Sequence, residues 1–470
     1  MNQPAPNTIR YERQIPLLDR VQVLVVGGGP AGIGAAIAAA RAGAETALVE
    51  RYGVLGGAAT VGLVGPFMTS FSDDGSTQII GGVFDELVRR MEEGDGPVAG
   101  GATHPAKVRA GSPEAGFYGF GHDHVTPFDP EALKLVAADM ALENGVRLYL
   151  HSDFIDPLLE DRWLRGAIIH NKSGLGAIGA ETVIDCTGDA DVAHRAGAPT
   201  VKGRERDGLM QPMTMFFRVG NVDDEAVIAH MDAHPEERGR SFHALVEQAR
   251  ADGRLNIARD KVGLYRSVQP GEWRINTSRM QGLDGTDAAD LTRAEVEGRR
   301  QVWELMRFFR ASLPGFEKAV LLDTAVQVGV RETRRIVGEY VLTADDLSSG
   351  RHFPDVIALG AFPFDIHPVT GEGGGTDSAL AAGLRTANVY EIPYRSLLPQ
   401  RIEQLLVAGR CLSATHEAAG AVRVMPPCFA MGQAAGVAAA RAVQDEVPPR
   451  DVDVPGVQAT LRAQGAILEP

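Results

Sequence analysis

The chain has 470 residues, of which 44% are hydrophobic, so it can bury a large core and is long enough for two or three domains. A formal charge of −15 and a pI near 5.3 argue against a nucleic-acid-binding surface and against binding to acidic membranes. No run of about 20 apolar residues predicts a transmembrane span, and the start of the chain lacks the pattern of a signal peptide. The three cysteines form no C-x-x-C pair, which favours a reducing, cytoplasmic environment.

The first predicted element is a buried strand over residues 21–26, followed directly by a glycine-rich turn. Gly27, Gly29 and Gly32 match the pattern G-x-G-x-x-G where this strand meets a helix predicted over residues 30–42. The first glycine permits a tight turn, the second lets the backbone approach a pyrophosphate, and the third lets the helix pack on the strand. Because the helix N-terminus then faces the phosphates, this context predicts a dinucleotide site.

A second short strand, over residues 46–49, ends in Glu50. An acidic side chain at this place can accept hydrogen bonds from both hydroxyls of an adenosine ribose, and it disfavours a 2′-phosphate. Two adjacent glycines, Gly56 and Gly57, follow shortly afterwards. They indicate a second close approach of the backbone to the same cofactor, with a simple flexible turn as the alternative.

Gly174, Gly176 and Gly179 also satisfy G-x-G-x-x-G, but a strand-like run begins at residue 182. No phosphate-facing helix fits between them, so we interpret this second match as a hairpin loop. The chain is therefore expected to hold one dinucleotide and to lack a separate NAD(P)H module.

Between these motifs the pattern predicts helices and strands that alternate along the chain. A long loop over residues 93–127 contains His122-Asp123-His124, but no further ligand cluster accompanies it and we expect no metal. Asp129 is a candidate N-cap for the helix that follows. The predicted elements are a helix over 81–92, a helix from 130 to 143, strands near 146–150, 154–159 and 164–170, and a strand over 182–185.

From about residue 200 to 400 the sequence loses the glycine- and alanine-rich composition of the beginning. It predicts a strand over 214–219 and mostly helical residues over 223–252. Thr292 and Glu295 predict a capping box for a further helix. A strand over 404–408 and a long helix over 426–443 then return to the glycine- and alanine-rich texture of the beginning. We therefore predict a discontinuous dinucleotide-binding domain with an insertion. The expected segments are 18–92, 128–200 and 400–446 for that domain, 201–399 for an inserted α+β substrate domain, and 447–470 for a C-terminal tail.

Four glycine-bearing segments resemble the ordered fingerprints of FAD-dependent oxidoreductases built on the glutathione-reductase-like flavin fold; they are residues 27–32, 55–57, 185–189 and 406–410. Residues 331–336, 392–395, 413–417 and 423–426 narrow this resemblance to a bacterial FAD-dependent oxidoreductase family related to the fumarate reductase flavoproteins. The resemblance implies an α/β class with a three-layer, Rossmann-like FAD/NAD(P)-binding domain. It also implies that the helix from Pro426 points its N-terminus at the flavin pyrimidine ring, where a positive helix end stabilises the anionic reduced flavin.

The resemblance and the glycine motifs together predict the residues that bind FAD. They are Gly27, Gly29, Pro30, Ala31, Gly32, Glu50, Arg51, Gly56, Gly57, Ala58, Phe154, Thr187, Gly188, Gly409, Arg410 and Met425.

Three departures from related flavoproteins narrow the chemistry. Residues 58–62 lack the C-x4-C pair of the disulfide reductases, which excludes a cysteine relay. No flavin-linking histidine stands beside the second glycine cluster, so we expect non-covalent FAD. The Gly-Asp-Ala-Ala-His signature of aromatic hydroxylases is missing after Gly409, which weakens assignment as a monooxygenase.

Hydride transfer to flavin N5 needs an acid or base near the substrate carbon and groups that align the substrate. His416 is the leading candidate for the acid or base, and His367, oriented by Asp365, is the second. The alternative for each is a histidine whose ring is satisfied by the core. Candidates for binding an anionic group of the substrate or donating to its oxygen are Arg334, Arg395, Arg423 and Tyr394, each of which has a structural role as its alternative.

These observations predict a cytoplasmic FAD-dependent oxidoreductase that transfers a hydride between flavin N5 and a small polar substrate bearing a hydroxyl, amine or carboxylate group. The alternatives are a flavin-dependent monooxygenase and a flavin-bearing electron-transfer subunit. We expect no nucleic-acid or membrane partner. The sequence leaves open the electron acceptor, the substrate and whether the chain forms a homo-oligomer.

Overall fold

The structure, a computed structural model, describes residues 11–94, 98–119, 121–371 and 383–470. Its strands are β1 (Leu17–Val26), β2 (Thr46–Val49), β3 (Arg147–Tyr149), β4 (Asp153–Glu160), β5 (Trp163–Asn171), β6 (Gly174–Asp185), β7 (Thr200–Lys202), β8 (Phe217–Gly220), β9 (Leu264–Arg266), β10 (Trp273–Ile275), β11 (Val320–Thr324), β12 (Arg334–Ile336), β13 (Val356–Gly360), β14 (Tyr390–Pro393) and β15 (Leu405–Val407).

The α-helices of the same described residues are α1 (Pro30–Arg41), α2 (Gly82–Glu93), α3 (Pro130–Glu143), α4 (Asp191–Arg195), α5 (Asp224–Ala233), α6 (His243–Ala251), α7 (Ala288–Ser312), α8 (Ala344–Ser349), α9 (His416–Val422), α10 (Met425–Gln444) and α11 (Val454–Ala463).

A seven-stranded sheet organises the first unit of the fold. Strands β3, β2, β1, β6 and β15 run parallel, whereas β4 and β5 continue as an antiparallel extension from the first half of β6. Val26 of β1 lies opposite Val49 of β2 and Asp185 of β6, and Asp185 lies opposite Val407 of β15. The carboxyl ends of four strands therefore meet at one edge, where parallel α/β sheets bind ligands.

The two faces of this sheet are covered differently, which gives three layers. Helices α1, α2, α3 and α10 share one buried cluster with one face, while Leu24 and Val26 on the other face pack with Leu164 and Ile169 of β5. The predicted α/β, Rossmann-like class is confirmed.

Helices α1 and α10 pack with their backbones in contact. A Cβ atom on Gly432 would overlap the carbonyl oxygen of Ala31, and one on Gly436 would overlap that of Ala35. The glycine-rich face predicted for the last long helix is thus what lets α10 lie along α1. As a result, the N-termini of both helices reach the same edge of the sheet.

A second unit is built on the antiparallel sheet β11-β8-β10-β9. The long helix α7 packs on it through Val302, Leu305, Met306 and Phe309, as the apolar pattern predicts. This cluster takes its members from residues 213–328, together with Leu63 and Phe117.

Two predicted boundaries are wrong. Apolar residues between 342 and 398 pack in the first cluster and not in the second, so the inserted unit ends near residue 330 and not at 399. The segment 447–470 is more than a tail, because Val457 and Leu461 of α11 pack in the first cluster.

The predicted capping box is also wrong. Helix α7 starts earlier, because Asp287 caps it by accepting hydrogen bonds from the amides of Ala289 and Asp290. Thr292 lies inside the helix and donates to the carbonyl of Ala288. In the second G-x-G-x-x-G match, no helix follows, as predicted, but its glycines lie in β6 and the hairpin loop precedes them.

Within the part of the chain that the structure describes, no helix is long and apolar enough to cross a membrane.

Candidate functional site

A cavity of about 380 Å³ opens at the edge where the parallel strands end. Residues that follow β1, β2, β6 and β15 line it on one side, and residues of the second unit line it on the other. Since each strand end contributes a turn, the alignment of the sheet register brings together motifs that are far apart along the chain.

Glu50 lies at the end of β2 and is buried, with 6% of its surface exposed. Its carboxylate accepts hydrogen bonds from the amides of Gly28 at 2.6 Å and Tyr52 at 2.9 Å. Burial raises the pKa of this carboxyl, and the two amide hydrogen bonds oppose that effect. A carboxylate can accept about four hydrogen bonds, so Glu50, which lines the cavity, retains capacity to bind a pair of ribose hydroxyls.

Two glycine turns meet beside Glu50. A Cβ atom on Gly57 would stand 2.9 Å from the Cα of Gly29, so the turns can touch only because both residues are glycine. Gly29 is the N-cap of α1 and has no side-chain cap, so the first amides of the helix are not satisfied by a capping side chain. Gly29, Pro30, Ala31, Gly57 and Ala58 all line the cavity. This arrangement suits a pyrophosphate.

Two of the predicted cofactor residues act behind the cavity wall. Gly32 is not among the lining residues, because it packs against the carbonyl of Gly27 where α1 leaves the turn. Gly56 does not line the cavity either. Its left-handed conformation, with φ of 110°, sets the turn that presents Gly57 and Ala58.

The remaining predicted cofactor residues line the cavity: Gly27, Arg51, Phe154, Thr187, Gly188, Gly409, Arg410 and Met425. Arg410 is fixed by hydrogen bonds to Asp189 at 2.7 Å and to Thr333 at 3.0 Å. Met425 begins α10, which has no side-chain cap, so the positive end of this helix faces the cavity.

Cys428 also lines the cavity in the first turn of α10. A helix start would by itself lower its pKa, but burial raises the pKa of the thiol to about 12. It is therefore a protonated, packed side chain.

His367 is one of two predicted catalytic residues that line the cavity; the other is Arg423. The Nε2 atom of His367 lies 3.4 Å from Asp365 Oδ1, and Nδ1 lies 3.3 Å from an Nη2 atom of Arg279. Burial lowers the pKa of His367 well below its ordinary value, with the charge of Arg331 acting in the same direction and Asp365 opposing it. The imidazole is therefore neutral at pH 7, with Asp365 placed to orient it.

His416, the leading candidate for the acid or base in the sequence, does not line the cavity. His416 is the first residue of α9, and its Nδ1 lies 2.8 Å from Glu332 Oε1. Arg335 binds the same carboxylate oxygen, and the amide of Gln211 donates to the other. His416 therefore belongs to a buried hydrogen-bonded network with Glu332, outside the lining of the cavity.

Three other predicted catalytic residues do not line the cavity, and each is held by hydrogen bonds to the surrounding structure. Arg334 donates to Asp191 at 2.9 Å and to the carbonyl of Asp189 at 3.1 Å. Tyr394 donates to the carbonyl of Pro449 at 2.7 Å. Arg395 pairs with Asp355 at 2.9 Å.

His416→Ala is therefore expected to lower stability and to leave any cavity reaction intact. Removing one partner from a buried charged network costs on the order of 1 to 3 kcal/mol, because Glu332 loses a hydrogen bond that it cannot replace with water. Chemical denaturation measures this loss, and His170→Ala, at an exposed position of β5, is the matched control. Unchanged stability together with a large loss of catalytic rate would return the catalytic role to His416.

Sequence reasoning missed most of the wall contributed by the second unit. The lining residues that it did not assign to the site include Tyr118, His122, Arg259, Lys261, Tyr265 and Arg331. The sequence around His122 suggests no role for it other than as a metal ligand. Among the described residues, no group of three or more His, Cys, Asp or Glu side chains could hold a metal ion. The close spacing of basic and aromatic residues over 259–265 is a sequence signal for this wall. The structure is needed to show that these side chains are buried at the cavity and not exposed to solvent.

The fold and the cavity define a dinucleotide-binding enzyme of the α/β class. The family model described as FAD dependent oxidoreductase matches residues 22–461, and the chain belongs to this family. Its cofactor is FAD, as predicted. The glycine turns, the open capacity of Glu50 and the two uncapped helix ends all fit this cofactor.

Several solved structures match the chain at low sequence identity and with TM-scores below 0.5. A geranylgeranyl bacteriochlorophyll reductase-like protein from Thermoplasma acidophilum is 14% identical, with 95% of this chain and 83% of that chain covered and a TM-score of 0.45. A p-nitrophenol 4-monooxygenase from Pseudomonas putida is 12% identical, with 91% of this chain and 79% of that chain covered and a TM-score of 0.42. An L-proline dehydrogenase from P. horikoshii is 12% identical, with 96% of this chain and 100% of that chain covered and a TM-score of 0.41. A search of the curated proteins finds no match.

Proposed function

We propose that this flavoenzyme transfers a hydride between FAD N5 and a small polar organic molecule that binds against the second unit. The observation that carries the proposal is that His367 and Asp365 line the same cavity as the FAD-binding turns and the start of α10. In this proposal the acid or base, the cofactor cradle and the substrate space share one cavity.

Bound FAD supplies the hydride acceptor, and the chain supplies the proton chemistry and the electrostatics. In the oxidation direction, the substrate C–H bond breaks as a hydride leaves, and the proton of the adjacent hydroxyl or amine goes to His367. Burial lowers the pKa of His367 and so keeps its imidazole neutral and available to accept this proton. Asp365, at 3.4 Å from Nε2, stabilises the imidazolium that forms.

The proton acceptor in this proposal is Nδ1 of His367. In the structure it faces an N–H of Arg279 at 3.3 Å, a long contact that a substrate hydroxyl can replace. The uncapped start of α10 also lines the cavity, and its partial positive charge would stabilise negative charge on reduced FAD bound there. The same proposal includes non-covalent FAD, since residues 58–60 beside the second glycine turn contain no histidine.

The test is an anaerobic screen in which alcohols, hydroxy acids and amines are mixed with the FAD-bound enzyme and the visible flavin absorbance is followed. Bleaching by one of these donors, without NAD(P)H and without oxygen, is the expected result. Bleaching by NAD(P)H alone, with product formed only when oxygen is added, would replace the proposal with a monooxygenase. Bleaching only by a reduced carrier protein would replace it with an electron-transfer subunit.

A further inference from the structure

Three arginine side chains, Arg259, Arg331 and Arg423, line the part of the cavity against the second unit. Arg423 pairs with Asp365 at 3.0 Å. Within the part of the chain that the structure describes, Arg259 and Arg331 have no carboxylate within 4.0 Å. This wall of the cavity therefore carries more positive charge than its acidic residues balance.

Arg259 is the clearest sign of an anion-binding site in this wall. Only 5% of its surface is exposed, and its Nε atom is buried without a hydrogen-bond partner among the described residues. A buried cation without a partner is costly, because it has lost water and gained no anion in return. A protein keeps such a group where a bound anion completes it.

Arg331 is held in place by neutral groups only. Its guanidinium donates to the carbonyl of Pro212 at 2.7 Å, to Thr214 Oγ1 at 2.6 Å and to Asn276 Oδ1 at 3.3 Å. These contacts fix the plane of the guanidinium without neutralising it. Burial lowers the pKa of Arg331 well below its ordinary value, and the charges of Arg423 and Arg259 act in the same direction.

Flat aromatic rings lie beside these arginines. The rings of Tyr118 and His122 stack with their centroids 4.3 Å apart, and Tyr265 lies nearly parallel to His122 at 6.4 Å. All three rings line the cavity. The charge of Arg259 acts on the Tyr265 hydroxyl, so the rings and the cations belong to one chamber.

We propose that the substrate is a planar organic carboxylate whose charge is bound by Arg259 and Arg331 and whose flat body packs on Tyr118, His122 and Tyr265. Guanidinium groups match the two oxygens of a carboxylate, and ring faces favour a planar partner. The inference rests on the proposed function for the reaction, but binding of the carboxylate needs no electron transfer. It can therefore be measured separately.

Isothermal titration calorimetry on the FAD-bound enzyme with benzoate, phenylacetate and cinnamate, each beside its primary amide, tests the proposal. The amides keep the shape and remove the charge. At least one carboxylate is expected to bind tenfold or more tightly than its amide, and more tightly than cyclohexanecarboxylate, which lacks a flat ring. No preference for any carboxylate over its amide would overturn the proposal. If cyclohexanecarboxylate binds as tightly as the preferred planar carboxylate, the proposed role of the aromatic rings is overturned.

Arg259→Gln is expected to reduce the affinity for the preferred carboxylate at least tenfold and to leave amide binding unchanged. Because Arg259 has no anionic partner, the variant should melt at the same or a higher temperature than the parent without ligand. Arg300→Gln, at an exposed position of α7, is the matched control. Undiminished carboxylate binding by a folded Arg259→Gln would overturn the proposal; if the variant does not fold, the carboxylate-to-amide ratio of the parent decides it.

Failure of this inference and failure of the proposed function give different results. An enzyme whose FAD is reduced by a neutral donor, but which shows no preference for carboxylates, keeps the reaction and loses the substrate class. An enzyme that binds carboxylates through Arg259, but whose FAD no organic donor reduces, keeps the anion site and loses the reaction.

Discussion

His367→Ala should retain FAD while the reduction of FAD by substrate slows about 10²- to 10⁴-fold, the usual contribution of a general acid or base. Some stability should be lost, because the partly buried carboxylate of Asp365 loses a partner. FAD should be retained because His367 lies in the cavity wall beside Asp365, whereas the glycine turns proposed to hold FAD are elsewhere. Anaerobic stopped-flow measurement of flavin bleaching gives the rate directly.

The pH dependence should carry the signature of a base with a lowered pKa. The neutral form of His367 is the active one, so the rate falls as the pH falls through its pKa. Since that pKa lies well below its ordinary value of about 6.5, the parent rate should stay level from neutral pH down and decline only in more acidic buffer. The His367→Ala variant should lack this decline in rate at acidic pH. An alanine variant that reduces FAD at the parental rate would remove His367 from the chemistry.

Glu50→Arg should weaken FAD binding tenfold or more. The substitution removes the ribose hydrogen bonds and places a cation beside the adenosine, and hydrogen bonds to charged groups contribute about 1.5 to 3 kcal/mol each. Titration of the apoprotein with FAD, followed by flavin fluorescence, measures the dissociation constant.

The control for this variant is Glu45→Arg, which makes the same charge change just before the same strand, at an exposed side chain paired with Arg147. Glu45→Arg should bind FAD as the parent does. Equal dissociation constants for Glu50→Arg and the parent would show that Glu50 serves only to fix the amides of Gly28 and Tyr52.

The meeting of the turns proposed to bind FAD could be predicted from the sequence because its signals are local. Gly27, Glu50, Thr187 and Gly409 each lie within two residues of a strand end. In a parallel sheet the carboxyl ends of such strands meet at one edge. The register confirms this, with Val26, Val49, Asp185 and Val407 in one row.

The substrate half could not be predicted in the same way. Arg259, Arg331, His367 and Arg423 come from separate segments, and tertiary packing alone brings them to one wall. His416 and His367 are equally plausible bases in the sequence. Their positions distinguish them, because His416 is bound by Glu332 outside the cavity lining whereas His367 lines the cavity. No periodic pattern encodes that difference.

The same reason explains the misplaced boundary of the inserted unit. Residues 342–398 look like a continuation of the insertion, but their apolar side chains, among them Leu359, Tyr390 and Leu397, pack in the cluster of the large sheet. Sequence texture reports composition, whereas the domain boundary depends on which core each side chain contacts.

The most direct test of the central claim, that the cavity holds FAD non-covalently for redox chemistry, is the flavin content of the purified protein after acid precipitation. The account predicts yellow protein that releases about one intact FAD per chain into the supernatant, because the cradle of Gly29, Gly57 and Glu50 makes one dinucleotide site. A colourless protein that also fails to bind added FAD would contradict the account. Flavin that stays in the precipitate would contradict non-covalent binding.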